Sequence, residues 1–277
     1  MAPKRPETIR LNTGRDIPQI GLGTWPLDDI EAEATVLHAA ELGYRHFDTA
    51  KKYHNEAGVG RGIRRSRIPR EELFITTKLH GRYQGEGRAI QGVEDSLKQL
   101  GLDYVDLVLI HWPLPQRGQF VSTWSTLETL LEDGKCRAIG TSNFAPAHLE
   151  TLLRNSSAVP AVNQVQLSPQ VQRADYRTYH DSHGIVTAAW SPLGRDNGML
   201  HDERVTGIAH NHDATPAQVI LRWHVQQGII PIVRSTDPSH QAENLKVFDF
   251  ELTSGDLNTL AGLAGGERAV DPDTEGY

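Results

Sequence analysis

Apolar residues recur along this chain in short, dense runs separated by longer amphipathic stretches. Eight such runs span residues 20–24, 45–49, 73–78, 105–111, 138–142, 162–167, 185–190 and 229–233. Several are rich in β-branched residues, which suits parallel strands buried on both faces. Helix signals lie between them. Asp29 is placed to cap a helix that carries Ile30, Ala34 and Leu37 on one face and stops at Gly43. Ser122 opens a stretch with Trp124, Leu127 and Leu131 that ends at Gly134. Thr215 followed by Pro216 reads as an N-cap with proline at the first helical position, and that helix closes at Gly228. Ahead of the alternation, residues 8–11 and 16–17 flank Asn12-Thr13-Gly14, the pattern of a small hairpin. Eight strands alternating with helices fit a closed barrel or a doubly wound sheet, and periodicity alone does not separate the two.

Length favours a single unit, because strand–helix barrels run to about 250 residues as one domain. One domain over residues 1–277 is therefore expected. With 38% hydrophobic and 23% charged residues the composition is that of an ordinary globular protein. A formal net charge of −7 leaves no basic footprint for nucleic acid or an anionic membrane surface. No apolar run approaches the roughly 18 residues that suggest a membrane span, and the start of the chain carries no apolar leader. The lone Cys136 excludes an internal disulfide and fits a reducing compartment, so a cytoplasmic location is expected.

Polar residues choose between the two architectures. The runs end, on their C-terminal side, in Asp48, Lys78, His111, Ser142 with Asn143, Trp190 and Arg234, and Gln164 lies inside another. Charges at the ends of apolar strands are costly unless paired or used. In a barrel all C-terminal strand ends converge on one mouth, where sites are built. The expected fold is therefore a (β/α)8 TIM barrel with a short N-terminal β-hairpin. Gly58-Val59-Gly60-Arg61-Gly62 lacks the register of a dinucleotide fingerprint and follows no strand, which disfavours a Rossmann dehydrogenase.

FDTAKKYHNE (47–56), ITTK (75–78), LGLDYVDLVLIHWP (100–113), IGTSNF (139–144), NQVQLSP (163–169), WSPLG (190–194) and AENLKVFDFEL (242–252) follow one another along the chain. In that order they resemble the motifs of the aldo-keto reductases, in particular the bacterial branch that includes 2,5-diketo-D-gluconate reductases. The resemblance implies a catalytic tetrad of Asp48, Tyr53, Lys78 and His111. It implies reduction of aldehydes or ketones, sugar-derived carbonyls and diketo acids among them, with NADPH as cofactor. A phenol with an ordinary pKa of about 10 is a poor acid at neutral pH unless its anion is stabilised. Lys78, anchored by Asp48, would supply that stabilisation. His111 would orient the carbonyl or share the proton relay.

The same resemblance places Ser142, Asn143 and Gln164 on the nicotinamide carboxamide and Trp190 against its ring. It puts Ser191, Leu193 and Gly194 under the pyrophosphate, Arg234, Ser235 and His240 near the 2′-phosphate, and Glu243 and Asn244 at the adenine. Trp25, His54, His80 and Trp112 are the expected substrate contacts. Where the family usually has Arg, this chain has His240, which weakens one phosphate contact and leaves room for NADH as a second cofactor. His80-Gly81 replaces a large aromatic and should make one pocket wall more polar.

Other readings compete. A nicotinamide-binding regulatory or structural protein on the same fold would lose part of the tetrad, which is complete here. A metal-dependent hydrolase would need ligand spacing that His210-Asn211-His212 does not supply, so no metal is expected. Lys51 and Lys52, beside Tyr53, have two readings, attraction of anionic substrates and a solvated helix start, of which the second is favoured; Cys136 reads as a packing residue. A small-molecule carbonyl substrate, no nucleic-acid or membrane partner, and a monomer complete the expectation.

Overall fold

In the computed structural model, residues 6–195 and 197–276 are described. The hairpin pairs β1 (Thr8–Arg10) with β2 (Asp16–Pro18) in antiparallel register, Ile9 opposite Ile17. Eight parallel strands then close into a barrel: β3 (Gly21–Gly23), β4 (His46–Asp48), β5 (Phe74–Leu79), β6 (Leu107–Ile110), β7 (Ile139–Ser142), β8 (Val162–Gln166), β9 (Val186–Trp190) and β10 (Ile230–Val233). They run in sequence order around the wall, and β10 returns to pair with β3. Each apolar run of the sequence contributes one strand, and burial on both faces explains why the runs barely alternate.

Helices α1 (Asp29–Leu42), α2 (Glu56–Ser66), α3 (Arg88–Leu100), α4 (Phe120–Glu132), α5 (Pro146–Arg154) and α6 (Ala174–His183) cover the wall one per crossover. Two helices, α7 (Glu203–Asn211) and α8 (Pro216–Gln226), separate β9 from β10, and α9 (Pro238–Leu245) and α10 (Ser254–Ala261) follow the last strand. Inside the barrel, Leu11 and Ile17 of the hairpin join Phe74, Leu107, Ala138, Ala161 and Ile230, residues at or just before the starts of five strands. The hairpin thus stops the N-terminal end of the barrel, and the C-terminal end is left for chemistry.

Two helix expectations need correction. The cap of α1 is Asp28, not Asp29: its carboxylate accepts from the amides of Ile30 and Glu31 at 2.8 Å, and Glu31 accepts from the Asp28 amide at 3.1 Å. Nor does α1 bury Ile30, Ala34 and Leu37. Ile30 is 78% exposed, and the buried face is Ala32, Thr35, Val36, Ala39 and Ala40. On another side α1 packs closely on α2. A Cβ at Gly58 would lie 2.0 Å from the Asp29 carbonyl oxygen, and one at Gly62 would lie 2.8 Å from that of Glu33. The glycines of α2 let the two helix backbones nearly touch. Likewise α4 begins at Phe120 rather than Ser122, with no side-chain cap; it buries Trp124, Leu127 and Leu130, while Leu131 only packs at the edge. The helix from Pro216 is as expected, with a capping box between Thr215 and Gln218.

The glycine run of α2 is therefore a spacer between helices. A Cβ at Gly60 would sit 2.0 Å from the Leu100 carbonyl oxygen at the end of α3. Alanine gains about 1 kcal/mol of helix propensity over glycine, but a clash with fixed backbone outweighs that. Gly60→Ala should lose about 1–3 kcal/mol net, seen as a lower urea midpoint at unchanged m-value. An unchanged midpoint would show that α2 and α3 are not seated this closely.

Candidate active site

The strand ends on the open side bring the polar residues of the sequence together around a cavity of about 940 Å³. Asp48 ends β4 and is level with Thr76 of β5, so Lys78, two residues further on, points to the same face. Both side chains are almost wholly inaccessible, at 3% and 1% exposure. The Lys78 ammonium donates to the Asp48 carboxylate, to the Thr49 carbonyl oxygen at 3.2 Å and to the Tyr53 hydroxyl oxygen at 3.3 Å. Its three hydrogens are thereby matched to three acceptors. The second Asp48 oxygen accepts from Gln164 Nε2 at 2.8 Å.

Tyr53 ends a 3-10 turn, Lys51–Tyr53, which the buried Asn55 fixes in place. The Asn55 amide donates to the carbonyl oxygens of Thr24 and Leu27 at 2.9 Å and accepts from the Thr49 hydroxyl at 2.8 Å. The phenol ring lies between Trp25 and His111, with ring centroids 5.2 and 5.7 Å away. Burial pushes the Tyr53 phenol above its ordinary range; Lys78 pulls it down and Asp48 pushes it up, and burial prevails. Burial alone would depress Lys78, but the Asp48 carboxylate and Tyr53 more than offset it, so the ammonium is held charged. His111 is driven well below its ordinary value by burial first, then by Lys78, Lys52 and His80. Its Nδ1 is buried without a hydrogen-bond partner, which leaves Nε2 as the ring nitrogen open to the cavity.

A second cluster stands beside the first. Ser142 donates to the Gln164 carbonyl oxygen at 2.9 Å, and Asn143, held at φ 63°, donates to the His111 carbonyl oxygen at 3.0 Å and to the Ser142 hydroxyl at 3.1 Å. Trp190 Nε1 donates to Asn143 Oδ1 at 2.8 Å, which fixes the plane of the indole. Gln164 Oε1 has no partner among the described residues. Ser191, Leu193 and Gly194 continue the lining from the end of β9, and Arg234 continues it from the end of β10.

Not every expected residue reaches the cavity. Trp25 and Trp112 line it; His54 and His80 do not. His80 Nδ1 accepts from the Arg82 amide at 2.9 Å and caps the next 3-10 turn, which holds the ring away from the cavity lining. His54 is exposed, in the left-handed conformation just past Tyr53. Ser235, His240, Glu243 and Asn244 also lie off the lining, on or just before α9. The Ser235 hydroxyl bonds within its own turn to Asp237, whose carboxylate stands 4.0 Å from His240.

Other residues stand in or around the site. Lys51 is largely covered and faces Glu56 and Asp95, at 3.8 and 3.9 Å, whereas Lys52 lines the cavity; neither is simply a solvated helix start. Asn163 and His180 form a support behind Asn143. Asn163 Nδ2 donates to the Phe144 carbonyl oxygen at 2.8 Å and lies 2.9 Å from His180 Nε2. A polar residue at the start of the buried run 162–167 was the available signal. His212 bonds to Asp256 at 2.9 Å, an acidic partner invisible in the local sequence, and no metal-ligating group of three occurs among the described residues. Cys136 is buried, with its thiol pushed up to about 12 by burial.

Known proteins share this arrangement of chain. The profile of the Aldo/keto reductase family matches residues 19–264. An aldo-keto reductase of Mycolicibacterium smegmatis is 46% identical over 267 residues, spanning 96% of this chain and 97% of that one. The 2,5-diketo-D-gluconic acid reductase B of a Corynebacterium species is 44% identical over 268 residues, with 96% and 97% covered. Among solved structures, a Bombyx mori aldo-keto reductase in complex with NADP superposes with a TM-score of 0.90 at 32% identity, covering 97% of this chain and 96% of that one. By sequence and by fold, the chain belongs to the aldo/keto reductase family.

Proposed function

We propose that this protein is an NADP(H)-dependent oxidoreductase that reduces aldehydes and ketones to alcohols, with Tyr53 giving the proton to the carbonyl oxygen. The observation that carries the reading is the continuous set of contacts Gln164–Asp48–Lys78–Tyr53, which opens on the cavity at the phenol. The donor set suits a nicotinamide cofactor. Gln164 Oε1 is free to accept from a carboxamide, and the Ser142 and Asn143 donors stand beside it. The Trp190 ring lines the cavity in a fixed plane, and Arg234 offers a guanidinium to a phosphate. When bound, the reduced nicotinamide supplies a hydride for the carbonyl carbon.

The protein's own part is proton delivery and orientation. Tyr53 releases its proton as charge builds on the carbonyl oxygen, and the Lys78 ammonium stabilises the phenolate left behind. Asp48 keeps Lys78 aimed and charged. His111, neutral because of its burial and the cations beside it, donates a hydrogen bond from Nε2 to the carbonyl rather than a proton. We place residues 1–277 in one working domain, acting as a cytosolic monomer. Among the described residues no helix is long and apolar enough to cross a membrane.

Tyr53→Phe should lower turnover by about 10²-fold or more while leaving NADPH affinity, read by fluorescence quenching, nearly unchanged. Surviving turnover would remove Tyr53 from the role of acid.

Reduction needs the protonated phenol, whose pKa is raised, so the rate should stay level through neutral pH and fall as pH rises through that pKa. Lys78→Met removes the charge that holds the phenol down, so besides slowing turnover it should move the falling limb to higher pH. A pH–rate profile with an unmoved limb would reduce the Asp48–Lys78 pair to a structural role.

Arg234 gives one cationic contact to a 2′-phosphate, and His240 adds little beside it. NADPH should therefore be preferred modestly, with measurable turnover on NADH. His240→Arg should tighten NADPH by about tenfold and leave NADH alone, since a charge-assisted contact is worth about 1.5–3 kcal/mol. Dissociation constants for both cofactors decide this. An unmoved ratio would mean that His240 lies away from the phosphate.

A further inference from the structure

The cavity has a charge opposite to that of the molecule. The chain carries a formal charge of −7, yet the described lining includes Lys52, Arg195 and Arg234 against one carboxylate, Asp48, which Lys78 already holds. The two arginines follow β9 and β10, beside the segments assigned above to cofactor phosphates. Lys52 is different. It belongs to the same 3-10 turn as Tyr53, on the side where the carbonyl must lie.

Its circumstances set it apart from its neighbour. Lys51 finds Glu56 and Asp95, whereas no carboxylate or hydrogen-bond acceptor pairs with Lys52 among the described residues. Lys52 is half-buried and lines the same cavity as His111, next in sequence to Tyr53, whose ring lies 5.7 Å from that imidazole. A partly dehydrated, unmatched ammonium at the reacting end of a pocket is a receptor for negative charge. A single compact point charge suits a carboxylate better than a phosphate, which usually gathers several donors.

We propose that Lys52 binds a carboxylate on the substrate, so that this enzyme selects carbonyl compounds that are also acids. The inference rests on the carbonyl-reductase reading and adds to it the residue that recognises an acid group. Lys52 contributes to binding and takes no proton, so its effect falls on KM more than on kcat.

Two matched pairs test it, each an acid and its uncharged methyl ester: succinic semialdehyde, which is flexible, and 4-carboxybenzaldehyde, which is rigid. With NADPH oxidation as the readout, kcat/KM for the acid should exceed that for the ester by roughly tenfold in at least one pair, the scale of one charge-assisted contact. The ratio should shrink as salt is raised. Lys52→Arg should keep it, Lys52→Met should bring it to about one, and Lys52→Glu should invert it. Because each ratio is taken within one protein, a variant with impaired turnover still reports. A wild-type ratio near one in both pairs, or a ratio unmoved in Lys52→Met, overturns the proposal while leaving the reductase reading intact. Failure of the wild type to turn over any of the four aldehydes with NADPH or NADH would overturn the reductase reading and the inference with it.

Discussion

The Asp48–Lys78 pair is the constraint on which the site depends. Two opposite charges almost wholly out of water are tolerable only if every valence is satisfied, and breaking such a pair costs several kcal/mol. Here the ammonium has three acceptors and the carboxylate a second donor in Gln164. The geometry that satisfies the charges also holds a phenol at the edge of the cavity. Support of the buried pair and placement of that phenol are one and the same set of contacts.

The remaining polar machinery extends from that pair. Gln164 connects Asp48 to the cluster of Ser142, Asn143 and Trp190. Asn143 needs a left-handed backbone, which a residue with a Cβ adopts at some cost, and the clamp of Asn163 and His180 on Phe144 holds the chain there. Tyr53 has its own support in Asn55, which ties three carbonyl or hydroxyl oxygens of neighbouring loops to one side chain. Asp48, Asn143 and the turn of Tyr53 thus each rest on a buried side-chain amide.

Much of this was legible in the sequence, for identifiable reasons. The strands are written as dense apolar runs, and Asp48, Lys78, His111 and Arg234 stand where those runs stop. What could not be read were matters of facing and of contact across the chain. Ile30 has the spacing of a core residue, but the face that α1 buries is Ala32, Thr35, Val36, Ala39 and Ala40. Lys51 and Lys52 looked alike, but successive residues in a 3-10 turn point about 120° apart, so one met acids and the other the cavity. The bond from Gln164 to Asp48 joins residues 116 positions apart, which no local pattern encodes. His80 follows β5 directly, but its ring is engaged in capping the next turn.

The hairpin has a kinetic consequence. With Leu11 and Ile17 packed among the strand starts, the barrel has its door at the C-terminal end of the strands. Whatever rests on Ser142 and Gln164, at 1% and 3% exposure, lies deeper than whatever rests on Trp25, at 57%. On the proposed assignment the two reactants queue: the cofactor goes in before the carbonyl compound, and the alcohol goes out before the spent cofactor. Turnover at saturation would then be paced by traffic through that door as readily as by the transfer within.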